Sequence, residues 1–264
     1  MKTNKKVALV LGGGGALGVA HIGFLEVLIK NNIPIDIITG TSMGALVGGV
    51  YASGASIASM KEKMLEFKIK RMVDFQLFSG GIVAGNKLVR FIRKFMKDNE
   101  TNIEDFKIKF AACACDINTG DKVIIDKGDV VDAIRASISI PGVFKPFKKD
   151  NMTLVDGGLV DNMPVEDARK MGADVVIAVD VHCFYYKKGN LNRVIPVAYN
   201  AMNRMIVSLA EQKPDKGDIH VKVKQPKKIG ISSFGKENTL LSIKAGRKAA
   251  LQALPQIRKL LEIE

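Results

Sequence analysis

Residues 37–44 read Ile37-Ile38-Thr39-Gly40-Thr41-Ser42-Met43-Gly44, an apolar strand running into Gly-x-Ser-x-Gly and then a helix-like segment. This order is the pattern of a nucleophile elbow, a strand-to-helix turn so sharp that side chains at the flanking glycines would strike neighbouring backbone. Gly40 and Gly44 keep that space open, and Ser42 at the apex is expected to point out at the carboxyl end of a sheet, where it can attack a substrate. Ordinary strand-to-helix turns also use small residues, so the surrounding chain has to decide.

Upstream, Val7 to Leu11 is a short, uniformly apolar run rich in β-formers, as expected of a strand buried on both faces of a parallel sheet. Gly12-Gly13-Gly14-Gly15 ends it. From Ala16 to Ile29, Leu17, Ala20, Phe24, Leu25 and Leu28 recur at helical spacing, and Asn31-Asn32 and then Pro34 stop the segment. The N–H groups of the glycine loop therefore stand at a helix amino terminus, where free donors and the helix dipole favour negative charge.

Three uses of that loop compete. Gly13-x-Gly15-x-x-Gly18 after a strand formally fits a dinucleotide fingerprint, with Asp36 at about the expected distance. A ribose-binding carboxylate belongs at the carboxyl end of the second strand, however, and Asp36 precedes the strand Ile37-Ile38-Thr39, at the opposite edge of the sheet. A phosphate-binding P-loop fails because no Lys-Ser/Thr follows the glycines. The third use is an oxyanion hole, in which unhindered Gly N–H groups hold the negative oxygen that forms when a serine attacks an ester carbonyl. Its nucleophile must lie on an adjacent strand end, and Ser42 ends the very next strand.

Downstream, Ala45 to Ala52 continues as a helix whose Gly48, Gly49 and Ala52 permit close packing on the sheet. Met60 to Met72 is a basic, Met-containing segment. In Asn86 to Lys97, Leu88, Phe91, Ile92 and Phe95 share one helical face while Lys87, Arg90, Lys94 and Lys97 share another. A surface helix with a solvated basic face is preferred there over a membrane-touching or lid helix. Lys107 to Cys115 and Lys122 to Ile125 read as strands joined by the turn Asn118-Thr119-Gly120, and Asp129 caps a helix through Ser137 that Pro141 closes. Met152 to Val155 is a strand that delivers Asp156-Gly157-Gly158, and a helix from Pro164 to Met171 leads to the apolar strand Val175 to Val179. Strands alternating with helices predict an α/β fold, a central mostly parallel sheet between two helical layers. Past Asn190 come a helix to Glu211, a short strand around Ile219 to Val223, a basic Gly/Ser loop and a closing helix from Glu237, with no chemistry visible in any of them.

At 264 residues and 47% hydrophobic, with no linker or internal repeat, residues 1–264 are expected to form one domain. The formal net charge of +13 favours anionic partners. Nucleic acid is not expected, because the basic residues are dispersed and only 6% of residues are aromatic, with no Trp for base stacking. The three cysteines, Cys113, Cys115 and Cys183, are an odd number without a disulfide spacing, which fits a reducing, cytoplasmic compartment. Cys113, Cys115, His182 and Cys183 could supply four zinc ligands, but they lie in apolar runs where buried free thiols are the rule, so neither metal nor cofactor is expected. Lys2, Lys5 and Lys6 before an apolar run imitate a secretory signal, which the glycines at 12 to 15 interrupt, and no apolar stretch reaches the ~20 residues of a membrane span.

With Gly12 to Gly18, Gly40-Thr41-Ser42-Met43-Gly44 and Asp156-Gly157-Gly158 together, the sequence resembles the patatin-like phospholipases, lipid acyl hydrolases that use a Ser-Asp dyad. The resemblance extends to Ala20-His21-Ile22-Gly23, to Ala136 to Phe147 and to Leu159 to Val165, and so covers roughly residues 5 to 182. It implies a three-layer α/β/α fold, Ser42 as nucleophile, Asp156 as its partner, and the Gly13, Gly14 and Gly15 backbone as oxyanion hole, with Gly40, Gly44, Gly157 and Gly158 in support. Members commonly carry Arg or Lys before the last glycine of the loop, where this chain has Leu17.

The expected activity is that of a serine lipid acyl hydrolase, of phospholipase A, lysophospholipase or carboxylesterase type. A carboxylate in a dry setting is a stronger base than one in water, so a dyad without histidine is physically reasonable. Two alternatives remain: a Ser-His-Asp esterase, since Ser42, Asp156 and His182 follow the α/β-hydrolase chain order, and a non-catalytic nucleotide- or lipid-binding module. His21 is expected to pack or support, and His220 to be structural. The partner expected besides an acyl-ester lipid is an anionic membrane, touched reversibly at its inner face through the basic side of the Asn86 to Lys97 helix.

Overall fold

The computed structural model describes residues 3–67, 85–96, 101–182, 194–226, 229–230 and 232–263. Cys183, Lys97 and the 68–72 end of the basic Met-containing segment lie outside the described residues. Eight strands among the described residues form one mixed sheet: β1 (Val7–Leu11), β2 (Ile37–Thr41), β3 (Lys109–Asp116), β4 (Lys122–Ile125), β5 (Phe147–Lys149), β6 (Met152–Asp156), β7 (Val175–Asp180) and β8 (Ile219–Lys222). Their order is β5-β6-β3-β2-β1-β7-β8, with β4 on β3 as a further antiparallel partner. The run from β3 to β8 is parallel, and β5 and β6 are antiparallel additions at one side.

Alternation along the central strands builds a core on each face. Val7, Leu9 and Leu11 of β1 and Val175, Ile177 and Val179 of β7 enter the larger core. It is covered by α1 (Ala20–Lys30), α2 (Met43–Ala52), α3 (Ile57–Glu66), α4 (Asn86–Arg93), α5 (Val130–Ser137) and the long closing helix α8 (Lys236–Leu261). Ala8 and Val10 of β1, Ile37 of β2 and Val176 and Ala178 of β7 face the other way, onto the short helix α6 (Val165–Lys170). Both faces of the central strands are therefore apolar, which is why they read as unbroken hydrophobic runs. Helix α7 (Val194–Gln212) lies at the mouth of the sheet and packs on the turn Gly157–Leu159.

One feature modifies the sequence-based picture and two agree with it. The segment after the glycine loop opens as a 3-10 turn, Gly15–Val19, before α1 begins. Gly18 passes so near Met43 that a Cβ there would lie 2.7 Å from the Met43 Cβ, which ties that turn to the elbow. Asp36 does stand at the amino edge of the sheet, its Oδ2 accepting the Val7 N–H at 2.8 Å, away from any ligand at the carboxyl ends. In α4, Leu88, Phe91 and Ile92 are buried, and Phe91 meets Phe67 and Phe95 with ring centroids 4.9 and 5.0 Å apart. The apolar face of α4 is thus used in the core, and Lys87, Arg90 and Lys94 stand on its exposed side.

Helix α2 approaches the end of β1 with backbone against backbone. A Cβ on Gly44 would overlap the Leu11 carbonyl, and one on Gly40 would lie 2.7 Å from the Ala45 nitrogen. Both neighbours are backbone and cannot rotate away. Gly44→Ala is therefore expected to destabilise the fold by about 3 kcal/mol, a large single-site effect. Urea unfolding checks this: the midpoint should fall with little change in slope.

Candidate active site

Ser42 occupies the single residue between β2 and α2, with φ 54° and ψ −120°. A non-glycine residue in that left-handed region costs about 1–3 kcal/mol and persists only where its surroundings hold it. The holding group is the buried Ser137 hydroxyl at the end of α5, which accepts the Ser42 N–H at 2.8 Å and donates to the Cys113 carbonyl of β3 at 2.6 Å. One side chain thus links elbow, helix and sheet.

Sheet register brings the carboxylate to the serine. Thr41 pairs with Cys113 across β2 and β3, and Ala114, the next residue on β3, pairs with Asp156 on β6. Asp156 therefore lies level with Ser42 although 114 residues separate them in sequence. The Ser42 hydroxyl donates to its carboxylate, and Oδ1 also accepts the Gly158 N–H at 2.8 Å. Both residues are buried. Burial pushes the Asp156 carboxyl up to about 6, and the hydrogen bonds from Ser42 and Gly158 only partly offset it. Loss of hydration outweighs two neutral donors, so the charged form of this carboxyl is disfavoured up to near-neutral pH.

Across the pocket lies the glycine loop. The Gly13 N–H is spent on the Asn162 carbonyl at 3.3 Å, whereas no hydrogen bond within the described residues takes the N–H of Gly14 or Gly15. Carbonyls on the far side of the loop are anchored. Gly12 O accepts from His21 Nε2 at 2.8 Å, and Gly13 O accepts from His182 Nδ1 at 3.0 Å, with Asn162 Nδ2 at 3.5 Å. Because carbonyl and N–H point opposite ways across a trans peptide, anchoring Gly13 O turns the Gly14 N–H away from Asn162 and His182. Burial lowers the His21 imidazole to about 4, against the raising effect of its bond to Gly12, so His21 is neutral at pH 7 and acts as a fixed donor. A side chain on Gly13 would meet Asn162 Oδ1 at 2.6 Å and Ser42 Cβ at 3.2 Å. The pocket enclosed by Gly13, Gly14, Gly15, Ser42, Asp156 and Asn162, with Ile140, Leu159 and residues of α7, is small, about 30 Å³. That is room for about two water molecules.

A family model described as patatin-like phospholipase matches residues 9–169. The chain belongs to the patatin-like phospholipase family. It is 37% identical over 182 residues to an NTE family protein of Mycobacterium tuberculosis, covering 68% of this chain and 50% of that one. It is 38% identical over 185 residues to Lysophospholipase NTE1 of Debaryomyces hansenii, covering 68% of this chain and 12% of that protein. The chain thus spans half the length of the mycobacterial relative or less of the relatives it matches. The structure of VipD from Legionella pneumophila superposes with a TM-score of 0.63 over 96% of this chain and 67% of that one, at 14% identity, a likeness of fold. The mostly parallel sheet between helical layers is therefore the patatin-like three-layer α/β/α architecture.

Several contributors to this patatin-like site carry no signal of their own in the sequence. Ser137 and Asn162 sit in stretches quoted above only as part of a resemblance, and their partners lie 95 and 149 residues away. His182 lines the pocket and gives Nδ1 to Gly13, and its Nε2 is buried with no partner among the described residues. Leu17, at the position often cationic in relatives, is buried in the larger core. Beyond Asn190, where the sequence shows no chemistry, Tyr199, Met202, Asn203 and Ile206 of α7 line the pocket. Cys113 and Cys115 are buried free thiols, and burial pushes the Cys113 thiol far above its usual range. Among the described residues no cluster of three or more His, Cys, Asp or Glu is placed to hold a metal.

Stability should register the raised Asp156 carboxyl. A folded value above the unfolded one means that the folded state binds this proton more tightly, so the contribution is fully favourable below the unfolded range, near 4, and is lost as pH rises through about 6. Asp156→Asn is therefore expected to be more stable than the parent at pH 8, by about 2 kcal/mol. Thermal melts across pH check the sign: the gain should shrink to nothing near pH 4.

Proposed function

We propose that this protein is a serine lipid acyl hydrolase acting on phospholipid or lysophospholipid carboxylic esters, with residues 1–264 working as one domain. The observation that carries this is the hydrogen bond from the elbow serine, Ser42, to the buried, dry carboxylate of Asp156. The apolar lining of Ile140, Leu159, Met202 and Ile206 suits an acyl chain, and the lysophospholipase among the relatives supports an ester lipid as substrate.

In the first half-reaction Asp156 takes the hydroxyl proton as Ser42 Oγ attacks the acyl carbonyl carbon. The carbonyl oxygen becomes an oxyanion, which the Gly14 and Gly15 N–H groups receive. Collapse breaks the bond to the alcohol, and Asp156 returns its proton to that leaving oxygen. Water then repeats the sequence: Asp156 takes its proton, the hydroxide attacks the acyl-enzyme, and Ser42 leaves with the proton restored. His21, Asn162, Ser137 and His182 hold atoms in place and move no proton.

Ser42→Ala is expected to abolish both fluorophosphonate labelling and hydrolysis across a panel of phospholipid, lysophospholipid and short-chain esters. Asp156→Asn should lower kcat/KM by about 10²–10⁴-fold, as removal of a general base does. In the parent, kcat/KM should rise with pH through about 6 as Asp156 ionises. Labelling unaffected by Ser42→Ala would sink the proposal. His182→Ala should keep most of the activity, and a loss as deep as that of Asp156→Asn would instead support the Ser-His-Asp alternative.

A further inference from the structure

Helix α7 carries apolar side chains both over the pocket and on its exposed flank. Inward, Tyr199, Met202 and Ile206 follow one another at three- and four-residue spacing over the Ser42 pocket. Outward, Val197, Met205 and Leu209 stand 45%, 66% and 44% exposed at multiples of four residues, with exposed Ala201 completing the stripe. Of the other exposed large hydrophobics among the described residues, Ile29 and Ile117 stand singly, and Leu240 and Leu251 lie eleven residues apart on α8. Scattered exposure of that kind is ordinary, whereas a continuous stripe marks a contact. α4 has no such stripe, its apolar face being buried.

The roof also creates a difficulty. With α7 in place the pocket has room for about two waters, so a long acyl chain enters only if Met202 and Ile206 withdraw. In water that movement would expose apolar surface on both sides of the pocket. At a lipid surface the same movement is favourable, because the outward stripe enters the acyl layer and an acyl chain replaces the lost inner contacts. The far end of the helix is tethered, since Lys213 pairs with the buried Asp161 carboxylate and Arg169 of α6 holds Asp215 at 2.6 Å. The chain's net charge of +13 selects a surface of negative sign.

We propose that α7 is the lipid-docking face: the Val197, Met205 and Leu209 stripe seats in an anionic lipid surface, and docking draws the roof away from Ser42. The opening step rests on the acyl-hydrolase reading of Ser42, while docking does not. The test compares the parent with the double variant Met205→Asp plus Leu209→Asp, using vesicles of phosphatidylcholine mixed with phosphatidylglycerol. Co-sedimentation should fall about tenfold or more in the variant. Vesicles should also speed labelling of parental Ser42 by a long-chain fluorophosphonate about tenfold and leave the variant unaccelerated, with rates expressed per site labelled by a small fluorophosphonate. Equal co-sedimentation of the two proteins overturns docking. A parent that binds vesicles without faster long-chain labelling overturns the opening step. A parental dimer in vesicle-free solution that the double variant breaks, without lipid binding, assigns the stripe to a second copy and overturns the lipid assignment. If no reagent labels Ser42 at all, the acyl-hydrolase reading fails, and co-sedimentation still decides docking.

Discussion

The closeness of α2 to the end of β1 is the constraint on which the site depends. The Leu11 carbonyl fills the space where a Gly44 side chain would be, so the helix amino terminus lies directly on the strand that feeds the glycine loop. The turn between β2 and α2 is left with one residue, and that residue must adopt a backbone conformation unfavourable for serine. Strain of about 1–3 kcal/mol is small against the burial holding α2 down, where each fully buried Leu, Val or Ile is worth about 1.5–3 kcal/mol. Leu46, Val47 and Val50 are all buried. The conformation that aims Ser42 outward is therefore imposed by packing, and its own N–H is used to secure it through Ser137.

Two carboxylates five residues apart show how environment divides their work. Asp156 has only neutral donors, a hydroxyl and a backbone N–H, and burial dominates. Asp161 is equally buried but meets the ammonium groups of Lys122 and Lys213, and its backbone carbonyl accepts the Thr41 hydroxyl at 2.8 Å. Burial alone would lower the Lys122 ammonium, yet Asp167 and Asp161 outweigh it and hold it above its usual value. The Asp161 cluster is thus an ionic clamp beneath the catalytic segment, binding β4, the loop after Asp156 and the end of α7 together. A buried carboxylate paired with cations in this way serves as a structural anchor, whereas one without them does not.

Local signals in the sequence account for the parts of the fold that were legible. Unbroken apolar runs marked β1, β2 and β7 because both faces of those strands are covered, and glycines marked the elbow because backbone occupies their Cβ positions. Asp36 could be placed at the wrong edge for a ribose from its position relative to β2 alone. The continuous helix expected from Ala16 was instead broken into a 3-10 turn and α1, since contact between Gly18 and Met43 is a tertiary fact that periodicity does not carry. The roof was illegible for a similar reason. Tyr199 and Ile206 look like core residues of any amphipathic helix, and only the sheet order, which places β7 beside β1, brings the following helix over Ser42.

The buried Leu17 narrows what can stabilise charge during reaction. With no cation at that place in the loop, and with His21 neutral, the donors that the proposed reaction offers its oxyanion are backbone dipoles at the start of the Gly15–Val19 turn. The chemistry suits such donors because it creates no new net charge. In the proposed reaction the proton neutralises Asp156 as the negative charge appears on the substrate oxygen, so one unit of charge crosses the pocket from carboxylate to oxyanion. Desolvation disfavours that charge on Asp156, in line with its raised carboxyl, while the Gly14 and Gly15 N–H groups, unpaired among the described residues, would favour it at the other end in the proposed reaction. Ground state and transition state are thus biased in opposite directions by the same dry pocket. A cation beside the glycine loop would strengthen that pull on the oxyanion, but it would also stabilise the Asp156 carboxylate and weaken it as a base.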